Sequence, residues 1–352
     1  MQLVINTYGA SLRRKNRLIH IVSDDRKVEI SPRKVESILV LTGVHISADF
    51  IALALEHHID LLILDRSGQP LGRFWHTRMG STAAIRRRQL EISETAEGLG
   101  IVRGWFGAKL DHQAQFLEDL QRRRPNTSLN FDRAIATIRE RAKHVEALTG
   151  KIVDIRERLM GLEGAASASY FTLLGKLPPE AFQFSNRSQR PARDPVNASL
   201  NYAYGILYGM VERACILAGL DPHVGLVHTD GYNKPSLVFD LIEPFRVFAD
   251  RTVLKLFTGR RFKQADFETT QRGVFLLPDT RAMLVQTFND YLDKRVDISI
   301  KSATSTSRRK KRRIRRRDAI QAEAHTFANR LLGKDGGLPE IATSDELFAD
   351  LD

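Results

Sequence analysis

The sequence predicts an α+β protein in which a small N-terminal β-sheet or sandwich domain precedes a larger all-α domain. The 352 residues are enough for two domains with sizeable cores. Short β-favouring runs are concentrated in about the first 75 residues, and apolar residues at helical spacing dominate after Gly104. We therefore predict a β domain over residues 1–77, a linker and helix start over 78–100, a helical domain over 101–333 and a flexible tail over 334–352.

The N-terminal domain is predicted from six short runs rich in β-branched and aliphatic residues. Turn signals such as Asp24-Asp25 and Ser31-Pro32 separate these runs. Ser47–His57 lacks Pro and Gly and spaces its apolar residues as a helix does, so we predict one helix that covers the sheet. The predicted strands are Leu3–Ile5, Arg17–Val22, Val28–Ile30, Ser37–Leu41, Leu61–Leu64 and Leu71–Trp75.

The helical domain is predicted from successive apolar stripes. Arg78–Ala96 is polar and is typical of a linker that leads into a helix. Stripes then run over 108–120, 134–148 and 152–162, and the second of them ends at Gly150. A fourth helix is predicted for Asn197–Leu217, and further helices are predicted after Pro244.

The C-terminal part contains a basic tract. Ser302–Ser307 is rich in Ser and Thr and is predicted to be flexible. Every residue of Arg308–Arg317 except Ile314 is basic. Either this tract is a solvated loop, or it binds a polyanion, because a phosphate backbone would relieve the repulsion among nine like charges. A helix is predicted for Asp318–Leu332, before a mildly acidic tail.

Composition favours a soluble protein with an anionic partner. The chain carries 54 Lys and Arg against 42 Asp and Glu, which gives a net charge of +12. This balance points to nucleic acid first and an anionic membrane second, although solvated basic faces would produce the same count. A single cysteine, Cys215, excludes an intramolecular disulfide framework, and no apolar run is long enough to span a membrane. We therefore expect a cytoplasmic protein.

The segment Gly219–Arg246 concentrates residues that could bind a cation. Two short apolar runs, Val224–Val227 and Leu237–Leu241, flank a polar stretch with turn residues. This pattern predicts two extended segments joined by a hairpin or loop. Three potential ligands would then meet where the strand ends come together: His228, Asp240 and Glu243.

Each of these residues also has a purely structural interpretation. His228 would serve as a core or hairpin histidine, Asp240 as a helix N-cap, and Glu243, which precedes a proline, as a loop or cap residue. Glu163 is the best candidate for a further carboxylate, because it lies among glycines and small residues. Such a charge is either capped at a surface or buried with a partner.

Five blocks of the chain, in this order, resemble the CRISPR-associated integrase/endonuclease family of spacer acquisition. Each block alone is a weak signal, but the combination is specific and spans most of residues 1–332. The tract Ser302–Arg317 is unusually basic for the family and the tail after Gly337 has no counterpart in it, so neither region is given a family role. The blocks are Thr7–Leu12, Val44–Leu64, Gly161–Gly164 with Tyr170-Phe171, Arg187–Ala198 and Gly219–Arg246.

The resemblance implies a metal-dependent DNA endonuclease/integrase that inserts spacer DNA into a CRISPR array. The metal ligands would be Glu163, His228 and Glu243, and Asp240 matches a further acidic position, so all four are catalytic candidates. Carboxylates with one imidazole suit Mg²⁺ or Mn²⁺, and such ions activate phosphodiesters. The attacking group would be the 3′-hydroxyl of the incoming DNA in integration and water in cleavage.

Several basic residues are candidate contacts to DNA phosphates. Lys234 and Arg246 lie beside the proposed ligands and would serve either as phosphate contacts or as surface charges. Arg190 lies in the block Arg187–Ala198. The remaining candidates belong to the basic tract: Arg308, Arg309, Lys310, Lys311, Arg312 and Arg313.

The resemblance also implies the partners. They are double-stranded DNA, a second copy of the chain bound through the β domain, and a small dimeric CRISPR-associated protein, the second Cas protein, in a heterohexameric complex. Two other functions fit the same residues. One is a metal-dependent nuclease for branched or damaged DNA without integration, and the other is a non-catalytic architectural DNA-binding protein.

Overall fold

The computed structural model describes residues 2–23, 26–35, 37–64, 70–74, 82–229, 231–232, 234–301 and 309–334. The chain divides into two compact units, Met1–Gly80 and Ser81–Asp352. The first is rich in strands and the second is mainly helical. The predicted α+β class is therefore confirmed. The tail after Lys334 lies outside the described residues.

In its described residues the N-terminal unit contains two four-stranded sheets and one α-helix. In the first sheet, in the order β1-β5-β7-β8, the first three strands are parallel and β8 is antiparallel. In the second, in the order β4-β3-β2-β6, β6 runs parallel to β2. The strands are β1 Gln2–Ile5, β2 Ser11–Lys15, β3 Leu18–Ser23, β4 Arg26–Ile30, β5 Ser37–Leu41, β6 His45–Ile46, β7 Asp60–Leu64 and β8 Pro70–Phe74.

Helix α1 (Ala48–Glu56) is the predicted covering helix. The Ser47 hydroxyl caps it by accepting a hydrogen bond from the backbone N–H of Phe50. Phe50 is fully buried in one apolar cluster with residues from both sheets, including Leu12 and Ile38. Burial of this shared core holds the two sheets and the helix together.

The second unit is built on long helices. Among them α3 is the longest, with 27 residues, and it packs against α4, α5 and α8. Sixteen of its residues are buried, so it forms the centre of the helical core. The helices are α2 Thr82–Ile92, α3 Ala96–Arg122, α4 Phe131–Glu146, α5 Ile152–Leu174, α6 Pro195–Leu217, α7 Ser236–Leu241, α8 Arg246–Thr258, α9 Pro278–Asp293 and α10 Arg316–Leu331.

The described part of the helical unit also contains two β-hairpins, which the sequence did not predict. One pairs β9 (Phe267–Thr270) with β10 (Gly273–Leu276), and the other pairs β11 (Arg295–Lys301) with β12 (Arg309–Arg315). In the first hairpin, Gly273 has a positive φ of 119° and lies so close to the backbone of Ala192 that a Cβ would be 2.8 Å from its carbonyl oxygen. Helix α2 lies within the segment 78–100, which was predicted as a linker and helix start.

The predicted pair of extended segments around residues 224–241 is also wrong. Residues 224–229 form an irregular loop, and Ser236–Leu241 forms helix α7. Short apolar runs cannot be assigned to a strand or a helix by periodicity alone, and here tertiary burial decides. Leu237, Val238 and Leu241 are all buried against the helical core in the helical conformation.

Within the described ranges, no helix is long and apolar enough to cross a membrane.

Candidate active site

The centre of the site is a pair of carboxylates joined by one lysine. Glu163 lies in the middle of α5, and Glu243 begins a 3₁₀ turn, Glu243–Phe245, between α7 and α8. Nζ of Lys109, on α3, lies 2.5 Å from Oε1 of Glu163 and 2.5 Å from Oε2 of Glu243. The Lys109 side chain is 6% exposed and the Glu243 side chain is 4% exposed. Three elements far apart in the sequence therefore meet at one buried ammonium group.

Arg246 is the second positive charge at this pair. Its Nε and one terminal nitrogen donate to the two oxygens of Glu243, at 3.0 and 2.9 Å. Burial opposes ionisation of Glu243, but the charges of Arg246 and Lys109 outweigh it and lower the pKa of the Glu243 carboxyl to about 2. Burial also opposes the charge of Lys109, yet Glu243 and Glu163 raise the pKa of its ammonium group. Glu243 and Lys109 are therefore both charged near neutral pH.

Glu163 is the more accessible carboxylate. Its side chain is 15% exposed, and its Oε1 also accepts a hydrogen bond of 2.6 Å from the hydroxyl of Ser167, one turn later on the same helix face. A Cβ added at Gly161 or Gly164 would meet nothing within 4 Å. The glycines therefore leave open space on the helix that carries Glu163.

His112 supports the turn that carries Glu243. It lies one turn after Lys109 on α3, and its Nδ1 is 2.9 Å from the carbonyl oxygen of Pro244. Burial lowers the pKa of His112 to about 3, so the ring is neutral and Nδ1–H is the donor. Helix α3 thus holds the Glu243 turn by a hydrogen bond as well as by the ion pair.

His228 is held by the buried carboxylate of Asp240, which lies inside α7. Nδ1 of His228 is 2.6 Å from Oδ1 of Asp240. The same carboxylate accepts the backbone N–H groups of Leu226, Val227 and His228, at 2.6, 3.0 and 3.1 Å. With Nδ1–H donated to Asp240, the lone pair of Nε2 is free to bind a ligand, and the side chain is 20% exposed.

Aromatic contacts connect the histidine to the carboxylate pair. The ring of His228 packs edge-on against Phe239 with centroids 5.7 Å apart, and Phe239 packs against Tyr208 at 5.3 Å. The Tyr208 hydroxyl accepts a hydrogen bond of 3.1 Å from Arg246, which binds Glu243. Within the described parts of the chain, however, no three His, Cys, Asp or Glu side chains are close enough together to enclose a metal ion.

A buried tyrosine–aspartate cluster lies behind Arg246. Asp250, one turn later on α8, accepts hydrogen bonds from the hydroxyls of Tyr170 at 2.9 Å and Tyr204 at 2.5 Å. Burial raises the pKa of Asp250 despite these two bonds, which favour its charged form. The ring of Tyr204 also faces the guanidinium group of Arg246 at 5.3 Å. The cluster therefore braces α5, α6 and α8 against one another behind the site.

The chemistry of these side chains fits a hard divalent cation. The ammonium group of Lys109 lies 2.5 Å from both carboxylates and occupies the position that a metal cation would take. The pair therefore already accommodates positive charge. Carboxylate oxygens with one neutral imidazole form a donor set that suits Mg²⁺ or Mn²⁺. The predicted ligand roles of Glu163, His228 and Glu243 remain predictions.

A family model described as CRISPR associated protein Cas1 matches residues 3–290, well over half of the chain. The chain belongs to the Cas1 family. A curated Cas1 relative from Archaeoglobus fulgidus, the CRISPR-associated endonuclease Cas1 1, is 32% identical over 308 residues, which cover 84% of this chain and 89% of the relative. The resemblance drawn from the sequence blocks is confirmed.

Solved structures show the same fold. A casposase bound to its integration product has a TM-score of 0.80 at 23% identity and covers 100% of this chain and 96% of its own. A Cas6-RT-Cas1–Cas2 complex has a TM-score of 0.73 at 21% identity and covers 97% of this chain and 36% of its own. At these identities the likeness establishes the Cas1 fold and no more.

The basic residues predicted to bind DNA differ in their exposure and contacts in this Cas1-family chain. Arg246 is neither a surface charge nor a free phosphate contact, because Glu243 and Tyr208 hold it in a largely buried position. Arg190 and Arg313 are exposed, and Lys234 is partly buried, with its Nζ 3.5 Å from Thr229. Arg308 lies outside the described residues. Arg309, Lys310, Lys311 and Arg312 lie on β12.

Asp240 is not an N-cap, because it lies inside α7 and binds a loop that precedes the helix.

Sequence reasoning missed Lys109, His112 and Asp250. Each is a polar residue in an otherwise apolar helical stripe, and that signal alone does not distinguish a site residue from a structural one.

Proposed function

We propose that this Cas1-family chain is a metal-dependent DNA endonuclease and integrase that inserts spacer DNA into a CRISPR array. The observation that carries the proposal is the Glu163–Glu243 pair, gathered around the buried ammonium group of Lys109 in a chain of this family. The relative from Archaeoglobus fulgidus is named an endonuclease, and the casposase structure is named for its integration product. Both names favour phosphodiester cleavage and joining here.

In this proposal Glu163, Glu243 and His228 hold one or more Mg²⁺ or Mn²⁺ ions. When bound, such an ion polarises a phosphodiester and stabilises the attacking and leaving oxygens. Neighbouring side chains orient these ligands and keep them in the required charge state. Asp240 fixes the ring orientation and tautomer of His228, and Arg246 keeps Glu243 ionised and aligned. The partly exposed side chain of Glu163 is the part of the pair that a DNA backbone would reach.

The attacking group in this proposal comes from the substrate. A DNA 3′-hydroxyl attacks the phosphorus in integration, and the displaced 3′-oxygen of the target strand leaves with a proton. Water takes the place of the 3′-hydroxyl in cleavage. Both reactions exchange one ester oxygen on phosphorus for another and require no protein nucleophile.

The proposed partners are double-stranded DNA, a second copy of the chain and a Cas2 protein. The net charge of +12 favours DNA binding through phosphates. The solved Cas6-RT-Cas1–Cas2 complex, which includes Cas2, supports a Cas2 partner for this chain. A heterohexamer of two homodimers with one Cas2 dimer is the assembly we propose.

The test uses short duplexes with free 3′-hydroxyls and a supercoiled plasmid, with the Cas2 partner present, in Mn²⁺ or EDTA. Wild type should nick the plasmid and join the duplex to it in Mn²⁺ alone. Glu163→Ala should lose both activities by about a hundredfold or more, because a metal ligand is removed. Glu157→Ala, an exposed carboxylate on the same helix, is the matched control and should react as wild type does.

The same assay separates the other candidate functions. Cleavage without joining, on branched duplexes in preference to plasmid, would favour a repair-type nuclease. Binding without any reaction, with or without Mn²⁺, would favour an architectural protein. Full activity of Glu163→Ala would remove Glu163 from the metal site.

A further inference from the structure

Lys109 is an unusual residue at this position. A lysine that is 6% exposed on a core helix loses most of its hydration, and it is stable there only with close anionic partners. Its partners are the two carboxylates that we propose as metal ligands. Its ammonium group therefore lies where their attraction for a cation is strongest.

The contacts of Lys109 compete with those that a metal ion would make. Nζ occupies Oε1 of Glu163 and Oε2 of Glu243, each at 2.5 Å. Arg246 occupies both oxygens of Glu243 from another direction. A divalent ion with short bonds to both carboxylates would overlap with the ammonium group, because oxygen ligands of such ions lie at about 2.0–2.2 Å for Mg²⁺.

The charges at the pair are balanced without a metal. Glu163 and Glu243 carry two negative charges, and Lys109 and Arg246 carry two positive charges. Two buried carboxylates this close together would otherwise repel each other and disfavour the folded site. Lys109 thus allows the ligands to be assembled before any ion arrives.

We propose that Lys109 is a built-in placeholder for the divalent cation: it holds Glu163 and Glu243 together in the metal-free protein and must withdraw from them when the ion binds. This inference rests on the proposed metal site. Its cost is a lower intrinsic affinity for the ion, because each binding event must break two buried ion pairs.

The placeholder couples metal binding to DNA binding. An ammonium group displaced from the carboxylates needs a new anionic partner, and a DNA phosphate beside the partly exposed Glu163 supplies one. DNA should therefore raise the affinity for the ion, and by thermodynamic reciprocity the ion should raise the affinity for DNA. Such coupling limits metal loading, and hence cleavage, to protein that already holds DNA.

The decisive measurement is the Mn²⁺ affinity in the absence of DNA, by calorimetric titration of the full chain. Lys109→Met keeps the length of the side chain but removes the charge. It should bind Mn²⁺ about tenfold or more tightly than wild type does, the low end of the coupling between close charge pairs. Lys109→Arg keeps the charge and should bind no more tightly than wild type. Lys255→Met, an exposed lysine on α8, is the control and should leave the affinity unchanged.

Stability provides a second readout that does not depend on activity. When EDTA is added to protein purified in Mn²⁺, the melting temperature of Lys109→Met should fall further than that of wild type. Without the ion, the carboxylates of the variant face each other with no ammonium group between them. A variant that is unfolded even in Mn²⁺ would overturn the proposal, since the ion would then be unable to replace the ammonium group.

Equal or weaker Mn²⁺ binding by Lys109→Met than by wild type would also overturn the placeholder role while leaving the metal site intact. A different result would overturn the proposed function itself. If neither wild type nor Lys109→Met binds Mn²⁺ with or without duplex DNA, the carboxylate pair is not a metal site. The two failures are therefore distinguishable.

Discussion

The carboxylate of Asp240 organises a whole loop around one histidine. It is fully buried and accepts three backbone N–H groups in addition to Nδ1–H of His228. A carboxylate with this many donors has little capacity left for a metal ion. We therefore assign Asp240 a positioning role, in which it presents Nε2 of His228.

Asp240→Asn should preserve the shape of the side chain but disturb this arrangement. The amide nitrogen cannot accept, so at least one backbone N–H or the imidazole loses its partner. We expect about 10–100-fold weaker Mn²⁺ binding, as is typical when a partner of a metal-bound histidine is changed. Calorimetric titration measures this, with Asp154→Asn, an exposed residue on α5, as the control. An unchanged affinity would remove Asp240 from the support of His228.

His112 should make the fold sensitive to acid. Its pKa is lowered from 6.5 to about 3 in the folded protein, chiefly by burial and also by Arg251, although the bond to Pro244 opposes the change. Between these two values the unfolded chain binds a proton that the folded chain does not, so the free energy of unfolding should fall as the pH drops from about 6.5 to 3.

The check is chemical denaturation across that pH range. In His112→Gln the amide can still donate to the carbonyl oxygen of Pro244, but the side chain does not titrate. The variant should therefore lose less stability than wild type between about pH 6.5 and 4. Parallel curves for the two proteins would contradict a neutral buried His112.

At the scale of elements, the basic tract is not one uniform segment. Arg313, on β12, is exposed and lies opposite Asp297 of β11. Ile314 is buried opposite Val296, which anchors the hairpin to the helical core. Beyond this point the arginines have structural partners: Arg315 pairs with Asp318, Arg316 is buried and faces the ring of Tyr291, and Arg317 pairs with Asp293. Only the part before Ile314 is left as a candidate for DNA.

Neutralising Arg309–Arg313 to glutamine should therefore weaken DNA binding. A two-stranded ribbon that binds phosphates releases counterions, so the slope of log K against log salt should become shallower by about 0.9 for each phosphate that is no longer neutralised. Fluorescence anisotropy over a salt titration measures both effects. Substitution of the arginine cluster Arg122–Arg124 by glutamine serves as the control. The change in slope for each charge removed is compared between the two variants. An unchanged slope would exclude the ribbon from the DNA interface.

The site residues are carried by long helices that pack against one another. Helix α3 contributes both Lys109 and His112, and the cluster around Asp250 ties α5 to α6 and α8. Buried polar networks of this kind specify one packing arrangement when every member has a partner. The carboxylates are thus held on packed helices and a turn between them, an arrangement suited to binding one ion at fixed distances.

At the scale of the whole molecule, the N-terminal unit is the expected site of dimerisation. It exposes several large apolar side chains on strands, among them Val4, Val28 and Leu71 at 45%, 42% and 62%. Exposed apolar residues on sheet edges favour association with another chain. The sequence resemblance implies a homodimer through this unit, which remains a prediction.

Light scattering after gel filtration should give twice the 39.8 kDa of one chain. Leu71→Glu, on the edge strand β8, should shift the mass toward that of the monomer. Leu90→Glu, a residue of equal exposure on α2, is the matched control and should leave the dimer intact. A monomeric wild type would contradict the proposed assembly.

An element could be predicted from the sequence when its hydrophobic pattern extended over several turns. Long helices such as α3 and α5 repeat their apolar spacing over several turns, so the helical unit was predictable, as was the single covering helix of the β unit. The run Leu237–Leu241 is too short for such a signal, and it proved to be a helix. The hairpin that includes the basic run after Arg308 was likewise not predicted, because its strand pairs with Arg295–Lys301, which is not adjacent in the sequence.

The sequence by itself determined the fold class, the family and the identity of the candidate ligands Glu163, His228 and Glu243, because local periodicity and ordered sequence blocks carry that information. Only the tertiary structure decided that Lys109 joins the two glutamates and that Asp240 holds the histidine loop. Both facts depend on which helices pack against each other and on which charges are buried together. Burial sets the strength of those ion pairs, and burial is a property of the folded chain alone.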